Sequence, residues 1–406
     1  MNKDKEKLPY LRIGCEYKRI VKKPLVTDDY VTILINWNKQ TIIDDNQNNR
    51  NIINEIPKYL GTVVKPSHNS YVRDVEGFYN TYEPLTCSPI EGRFDTILYY
   101  LKHIFQEQID LGLDYFKILY NNPLEKLPVI SLISEERGTG KSTFLNLLKL
   151  IFGLNMTINS PENIQSRFNY DLIGKLLIAA EEVEYKLLSE TENIKYLSTS
   201  FSFKAEAKGK ERQEQDFFAK FILLSNHENS FIKIEPGETR FWVLKIQPFK
   251  EENTELLDRM KSEIPHFLYY LKTSKISYEK KTRMWFLFKD YETKALKRVI
   301  NHNKNKLEIE LINVFITIME NFDVEVVSFQ PNDLANILSK SFQRTDMTRL
   351  RKIIKESWGL KPVKNSLSYK RYSLLSDGSF AILTEKGRYY TITKDWIKEH
   401  YDDLMN

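Results

Sequence analysis

The sequence predicts an α/β fold, in which a core of buried strands alternating with helices follows a mixed region and precedes a helix-rich module. Three observations carry that prediction. Between Pro128 and Ile246 short apolar runs of strand length recur, each closed by polar residues. A glycine-containing turn, Gly138, Thr139, Gly140, Lys141, Ser142 and Thr143, stands between one such run and an amphipathic stretch. From Leu307 onward the pattern changes to three helices followed by strands.

Taken in order, Leu8 to about Pro84 reads as short mixed strands and helices broken by Pro24, Pro57 and Pro66, with Asp44 to Asn51 as an Asn-rich surface loop. Ile97 to Tyr120 reads as helical, with Ile97, Leu98, Leu101, Ile104 and Phe105 at three- and four-residue spacings, stopped by Asn121, Asn122 and Pro123. Pro128 to Ile133 is rich in β-branched residues and predicts a strand, and Ser142 to Phe152 predicts a helix. Further core strands are expected at Leu176 to Ala180, Phe221 to Ser225 and Phe241 to Ile246. Alternating Phe201, Phe203, Ala205 and Ala207, then Lys208, Gly209 and Lys210, predict a β-hairpin with a basic tip.

Leu256 to Leu271 reads as a helix and leads into a basic stretch ending at Lys306. Helices are expected at Leu307 to Asn321, Pro331 to Ser341 and Thr345 to Trp358. Strands should follow from Tyr369 to Ile392, turning at Asp377–Gly378 and at Lys386–Gly387. Three helices and a hairpin are the layout of a winged helix. The expected division is 1–95 as a mixed α/β region serving oligomerisation or DNA loading, 96–250 as the core, 251–306 as a helical connector and 307–406 as the winged-helix-like domain.

Composition narrows the class. Hydrophobic residues at 41% and charged residues at 28% are ordinary for a globular chain. No apolar run approaches the roughly 20 residues of a membrane-spanning helix, and no apolar segment follows the charged start Met1 to Glu6, so no membrane partner and a cytoplasmic location are expected. Cys15 and Cys87 lie far apart without Cys or His neighbours at zinc spacing, which argues against a disulfide or zinc site. The formal charge of +5, from 60 basic and 55 acidic residues, does not by itself indicate nucleic acid.

The chemistry starts at the glycine turn. Glycines let backbone N–H groups turn inward around phosphates, the helix N-terminus adds positive potential, Lys141 reaches the β- and γ-phosphates, and the Ser142 hydroxyl binds Mg²⁺. Arg137 to Thr143 are therefore the candidate nucleotide-binding residues. Glu135 stands where the full phosphate-loop pattern asks for Gly. The bland alternative is a glycine turn with an exposed Lys and Ser. About forty residues on, Glu181 and Glu182 close an apolar strand, where one carboxylate, assigned to Glu181, would hold hydrated Mg²⁺ and the other would orient or deprotonate the attacking water. Alone, such a pair is a solvated strand end. Asn226 closes the next strand and is read as holding the water or sensing the γ-phosphate, against an ordinary strand-terminal turn. Arg240 precedes Phe241, Trp242 and Val243; it is either a structural ion-pair partner or an arginine finger that reaches a neighbouring subunit's nucleotide.

In this order and spacing the chain resembles a superfamily 3 helicase. "ERGTGKSTFLNLL", "LIGKLLIAAEEVE" and "ETRFWVLKI", with "GFYNTYEPL" ahead of them, are similar to the D5-like primase-helicases of phages and plasmids. The likeness runs from about Gly77 to Ile246. It implies an AAA+-type P-loop ATPase with ATP and Mg²⁺ as cofactors, assembled as a homo-oligomeric, hexameric ring on single-stranded and forked DNA, with Lys208 and Lys210 gripping the strand. The 76 residues before Gly77 are fewer than a primase domain takes, so priming is not expected here and a separate primase or other replication proteins are candidate partners.

From Lys340 to Arg371 ten basic residues face two acidic ones. Arg349, Arg351, Lys352 and Lys355 concentrate on the third tail helix and are expected to meet the DNA backbone; a solvated helix face in a protein-binding module is the alternative. Two other readings remain in competition with the motor: a P-loop phosphotransferase, and an origin-binding initiator or scaffold in which ATP controls assembly.

Overall fold

The computed structural model describes residues 8–24, 30–166, 170–185, 187–205, 213–235, 237–251, 253–303, 306–340, 347–375 and 378–401. The chain divides into two compact units, Met1–Phe231 with Thr239–Thr293, and Ile232–Glu238 with Lys294–Asn406. The segment read as a connector, 251–306, is thus shared between them.

The first unit opens with β1 (Tyr10–Ile13), β2 (Glu16–Pro24), β3 (Tyr30–Trp37), α1 (Lys39–Asp45), α2 (Ile52–Glu55) and β4 (Lys58–Tyr59), the strands ordered β3-β2-β1-β4. Asn38 caps α1 by accepting the Gln40 N–H at 2.8 Å, and Ile42 and Ile43 bury its inner face. That anchoring carries the helix through Asp45, so the expected loop from Asp44 is shorter; Gln47 and Asn48 make the turn at φ 56° and 63°. Next, β5 (Thr62–Val63), β6 (Asp74–Val75) and β7 (Phe78–Asn80) form a small sheet. The buried Asn80 amide holds Lys65 N, Lys65 O and Val72 O at 2.9–3.0 Å.

The predicted helix from Ile97 to Tyr120 is two: α3 (Asp95–Phe105) and α4 (Ile109–Asn121), parted by a 3₁₀ turn whose Gln106 has φ 51°. Gly112 explains the break. A Cβ there would lie 2.5 Å from the Phe105 ring, so the ring folds back onto bare backbone. α4 is buried along nearly its whole length even at Asp114, whose carboxylate accepts Ser277 N (2.6 Å), Tyr278 N (2.7 Å) and Lys117 Nζ (2.8 Å).

The core continues with β8 (Val129–Ile133), α5 (Lys141–Phe152), β9 (Met156–Asn159), α6 (Pro161–Gln165), β10 (Leu177–Ala180), α7 (Leu188–Thr199), β11 (Ser202–Ala205), β12 (Gln213–Asp216), β13 (Lys220–Ser225), β14 (Phe241–Lys245), α8 (Leu256–Thr273) and α9 (Phe288–Tyr291). Five strands form one parallel sheet in the order β14-β8-β13-β10-β9. The four anticipated strands are present because unbroken apolar runs suit a sheet covered on both faces; β9 was not anticipated. Helices α3, α4, α5 and α8 pack in one apolar cluster with this sheet that also takes in Phe286 and Tyr291, so most of the supposed connector, as far as Thr293, goes with the core. β11 and β12 pair antiparallel, Ser202 opposite Asp216, as the hairpin prediction requires; its tip, with Lys208 and Lys210, lies outside the described residues.

The second unit contains α10 (Lys294–His302), α11 (Lys306–Phe322), β15 (Val326–Phe329), α12 (Pro331–Lys340), α13 (Met347–Lys352), β16 (Leu367–Leu374), β17 (Phe380–Gly387), β18 (Tyr390–Thr393) and α14 (Lys394–Tyr401) around its own apolar core. The short excursion Ile232–Glu238 belongs here too: Ile232 and Ile234 are buried, and Asn303 Nδ2 donates to Ile232 O at 2.8 Å. β16 and β17 form the first expected hairpin. The second does not form. Beyond Gly387 the chain reaches β18, which pairs with β15, because Tyr390 and Ile392 bury into the same core as Val327 and Phe329. The third helix is also shorter than expected, passing after Lys352 into a π-helical turn, Ile353–Ser357.

Candidate functional site

Parallel pairing puts the carboxyl ends of the core strands side by side: Ser225 opposite Ile133, Ala180 opposite Leu223 and Asn159 opposite Ala180. The residues that follow β9, β10 and β13, namely Ser160, Glu181 and Asn226, line a shared cleft of about 600 Å³. Lys141 and Ser142 open it from the start of α5, Glu181 and Glu182 come from β10, and Asn226 comes from β13. Strand β13 sits between β8 and β10, so the ends of those two strands are two strand spacings, about 10 Å, apart.

The loop before α5 explains which glycines matter. Gly138 and Gly140 have φ 67° and 86°, conformations that side-chain-bearing residues resist; Glu135 is not among the positive-φ residues, so its departure from the phosphate-loop pattern carries no backbone penalty. Glu135 N instead lies 3.3 Å from Glu228 Oε1, while Glu228 Oε2 pairs with Lys245 Nζ at 2.6 Å. Arg137 is exposed on the loop, Thr139 is buried, and Thr143 is half-buried in the first turn of α5.

Lys141 is buried and donates from Nζ to Ser134 O at 2.8 Å. Burial lowers its pKa, and the Glu228 carboxylate opposes that shift. Ser225 Oγ donates to Val183 O at 2.6 Å and accepts His227 N at 3.1 Å, which ties the end of β13 to the segment after β10 and sets the spacing between Asn226 and the acidic pair. Glu182 adopts φ 53°. A left-handed backbone at a non-glycine residue costs about 1–3 kcal/mol, and here it falls on the lining of the cleft.

Sequence reasoning missed the far wall: Asn159, Ser160 and Glu162, at the end of β9 and the start of α6. Ser160 caps α6 and Pro161 takes its first position, a start signal that was legible. Hydrogen bonds from its own backbone N–H and from Ser160 keep the Glu162 carboxyl below the usual range.

Ser142 and Glu181 supply hard oxygen donors to one cleft, and among the described residues no group of three or more acidic, His or Cys side chains is arranged as a metal cage. This set suits Mg²⁺, which takes one or two carboxylates and completes its shell with phosphate oxygens and water.

Arg240 is not brought to this cleft. It precedes Phe241, which is in register with Val129, so it stands at the amino end of the sheet, a strand length away. Arg349, Arg351, Lys352 and Lys355 belong to the second unit, all exposed, on α13 and the π turn. No helix among the described residues is long and apolar enough to cross a membrane.

Comparison with known proteins adds three findings. Residues 132–240 match a family of unknown function, DUF5906. Over 241 residues the chain is 23% identical to the DNA primase-polymerase of Nitratiruptor phage NrS-1, a stretch that covers 55% of this chain and only 33% of that protein. The fold is that of the NrS-1 C-terminal region: one apo structure of that region superposes with a TM-score of 0.62 at 17% identity, covering 94% of this chain and 95% of the other, and its A form apo structure gives 0.61 at 18% identity.

Proposed function

We propose that this chain is the nucleotide-driven motor of a phage or mobile-element replication protein: an AAA+-type P-loop ATPase of the superfamily 3 helicase kind, which hydrolyses ATP to move on single-stranded or forked DNA. The observation that carries the reading is the cleft, where Lys141, Ser142, Glu181, Glu182 and Asn226 converge from two strand ends and one helix start. In that reading Lys141 exchanges the Ser134 carbonyl for the β- and γ-phosphates. Bound between Ser142, Glu181 and the phosphates, Mg²⁺ would offset their charge. Glu182 orients and deprotonates the attacking water, and Asn226 holds that water in line.

The position of Arg240 supports assembly. A side chain at the amino end of the sheet cannot reach its own cleft but can serve a neighbour's, as in a hexameric ring. The resemblance to the NrS-1 protein supports a replication role, with the second unit as a winged-helix-like DNA-binding module that uses Arg349, Arg351, Lys352 and Lys355.

The test is the ATPase rate with and without single-stranded DNA, with molecular mass measured in each nucleotide state. DNA-stimulated hydrolysis by an ATP-dependent ring, abolished by Lys141→Ala, is expected. Hydrolysis by a monomer indifferent to DNA would leave the phosphate site standing and remove the motor.

A further inference from the structure

Three successive carbonyls of the phosphate loop are held from outside the loop. Phe249 N donates to Gly138 O at 3.0 Å, His103 Nε2 lies 3.1 Å from Thr139 O, and Tyr100 Oη donates to Gly140 O at 2.8 Å. A carbonyl only accepts, so His103 carries its proton on Nε2. The holders reinforce one another: the His103 and Phe249 rings stack with centroids 3.8 Å apart, and Phe249 packs parallel to Tyr100. The fit leaves no room for change, since a Cβ at Gly140 would come within 2.9 Å of the Phe249 ring and 3.3 Å of the Tyr100 ring.

In a trans peptide the C=O and the following N–H point in opposite directions. Fixing the carbonyls of Gly138, Thr139 and Gly140 toward α3 and Phe249 therefore turns the N–H groups of Thr139, Gly140 and Lys141 the other way, as a row of adjacent donors. Such a row forms an anion-binding concavity. Without the holders, two glycines with positive φ would leave the loop many alternative shapes.

We propose that Tyr100, His103 and Phe249 are positioning residues that hold the phosphate loop open in its anion-binding shape before nucleotide arrives. They touch no phosphate; they act through the loop's backbone. The proposal rests on the phosphate-site reading above and names what pre-organises it.

The experiment is calorimetric titration of the full chain with Mg·ATP and with Mg·pyrophosphate, alongside thermal melting of the free protein. Tyr100→Phe removes only the hydroxyl and should weaken both ligands about fivefold, the worth of one hydrogen bond. His103→Ala should weaken them by roughly tenfold, losing bond and stack together, and His103→Gln, which keeps a donor at similar reach, should recover most of the bond. The free protein's melting temperature should change little in Tyr100→Phe. Wild-type protein that binds neither ligand would reject the phosphate-site reading itself. Wild-type binding with unchanged affinity in Tyr100→Phe and His103→Ala would overturn the positioning role alone. Equal losses in His103→Ala and His103→Gln, accompanied by lower melting temperatures, would also overturn it by reducing the effect to packing.

Discussion

The two ends of the parallel core sheet carry opposite chemistry. At the carboxyl end, acids and amides face an open cleft with Lys141 behind them. Near the amino end three basic side chains are spent on backbone carbonyls: Lys126 donates to Phe217 O at 2.9 Å and lies over the Phe201 and Phe217 rings, Lys220 donates to Pro123 O and Phe218 O, and His68 Nδ1 meets Tyr120 O at 2.8 Å. Burial lowers the pKa of Lys126 to about 8, that of Lys220 well below the usual value, and that of His68 to about 4. A buried lysine is thus not in itself a sign of function. Lys141 and Lys220 are both buried; what separates them is that Lys141 lies beside an open cleft at a helix start, whereas Lys220 is sealed by carbonyls.

Arg240, the fourth base at the amino end, is where this contrast is most exposed to test. If it serves a neighbour's cleft, Arg240→Ala should lower assembled turnover by about 10³-fold or more while leaving nucleotide affinity nearly intact. Mixing it with Lys141→Ala protein should restore activity in mixed rings; no restoration would return Arg240 to a structural role. Next in size, Glu182→Gln should cut hydrolysis by about 10²–10⁴-fold with ATP still bound. Glu182→Gly should melt higher than Glu182→Gln, because glycine relieves the left-handed backbone. Equal melting temperatures would mean the φ of 53° stores no strain.

The amino end predicts an effect of pH on stability. His68 titrates at about 4 when folded against about 6.5 when unfolded, so its neutral form is favoured in the fold: the contribution is complete above pH 6.5 and is lost as pH falls toward 4, up to about 3 kcal/mol. Denaturant unfolding of wild type and His68→Gln from pH 7 to pH 4 measures this. Parallel pH dependence in both proteins would assign the acid sensitivity to other groups. The smallest effect belongs to the second unit, where each of Arg349→Ala, Arg351→Ala, Lys352→Ala and Lys355→Ala should reduce the salt dependence of DNA binding by about one counterion.

Legibility followed locality. The glycine loop before α5 and strands β8, β10, β13 and β14 could be read because a glycine turn and unbroken apolar runs dictate their conformation within a few residues. β9 escaped because only Met156 and Ile158 are apolar in it and it lies at the sheet's edge, and with it went Asn159, Ser160 and Glu162. The break between α3 and α4 has no proline or glycine at Gln106 to announce it; its cause is Gly112 meeting Phe105 seven residues away. The pairing of β15 with β18 joins residues more than sixty positions apart, which a short-range hairpin rule cannot find. Tyr100 and His103 were hidden within what reads as an ordinary apolar stripe with polar neighbours.

The excursion Ile232–Glu238 lies between Asn226, which lines the cleft, and Arg240, yet packs with the second unit. The chain therefore passes between units at Phe231–Ile232, at Glu238–Thr239 and at Thr293–Lys294. No single cut separates the two units, and a truncation ending at Thr293 would leave the segment Ile232–Glu238 without the rest of its unit, including the Asn303 amide that donates to Ile232 O. Loss of hydrolysis in such a truncation would follow from an apolar segment freed between Asn226 and Arg240, whether or not the missing unit touches DNA. Point substitutions on α13, which leave the excursion covered, isolate the second unit's own contribution.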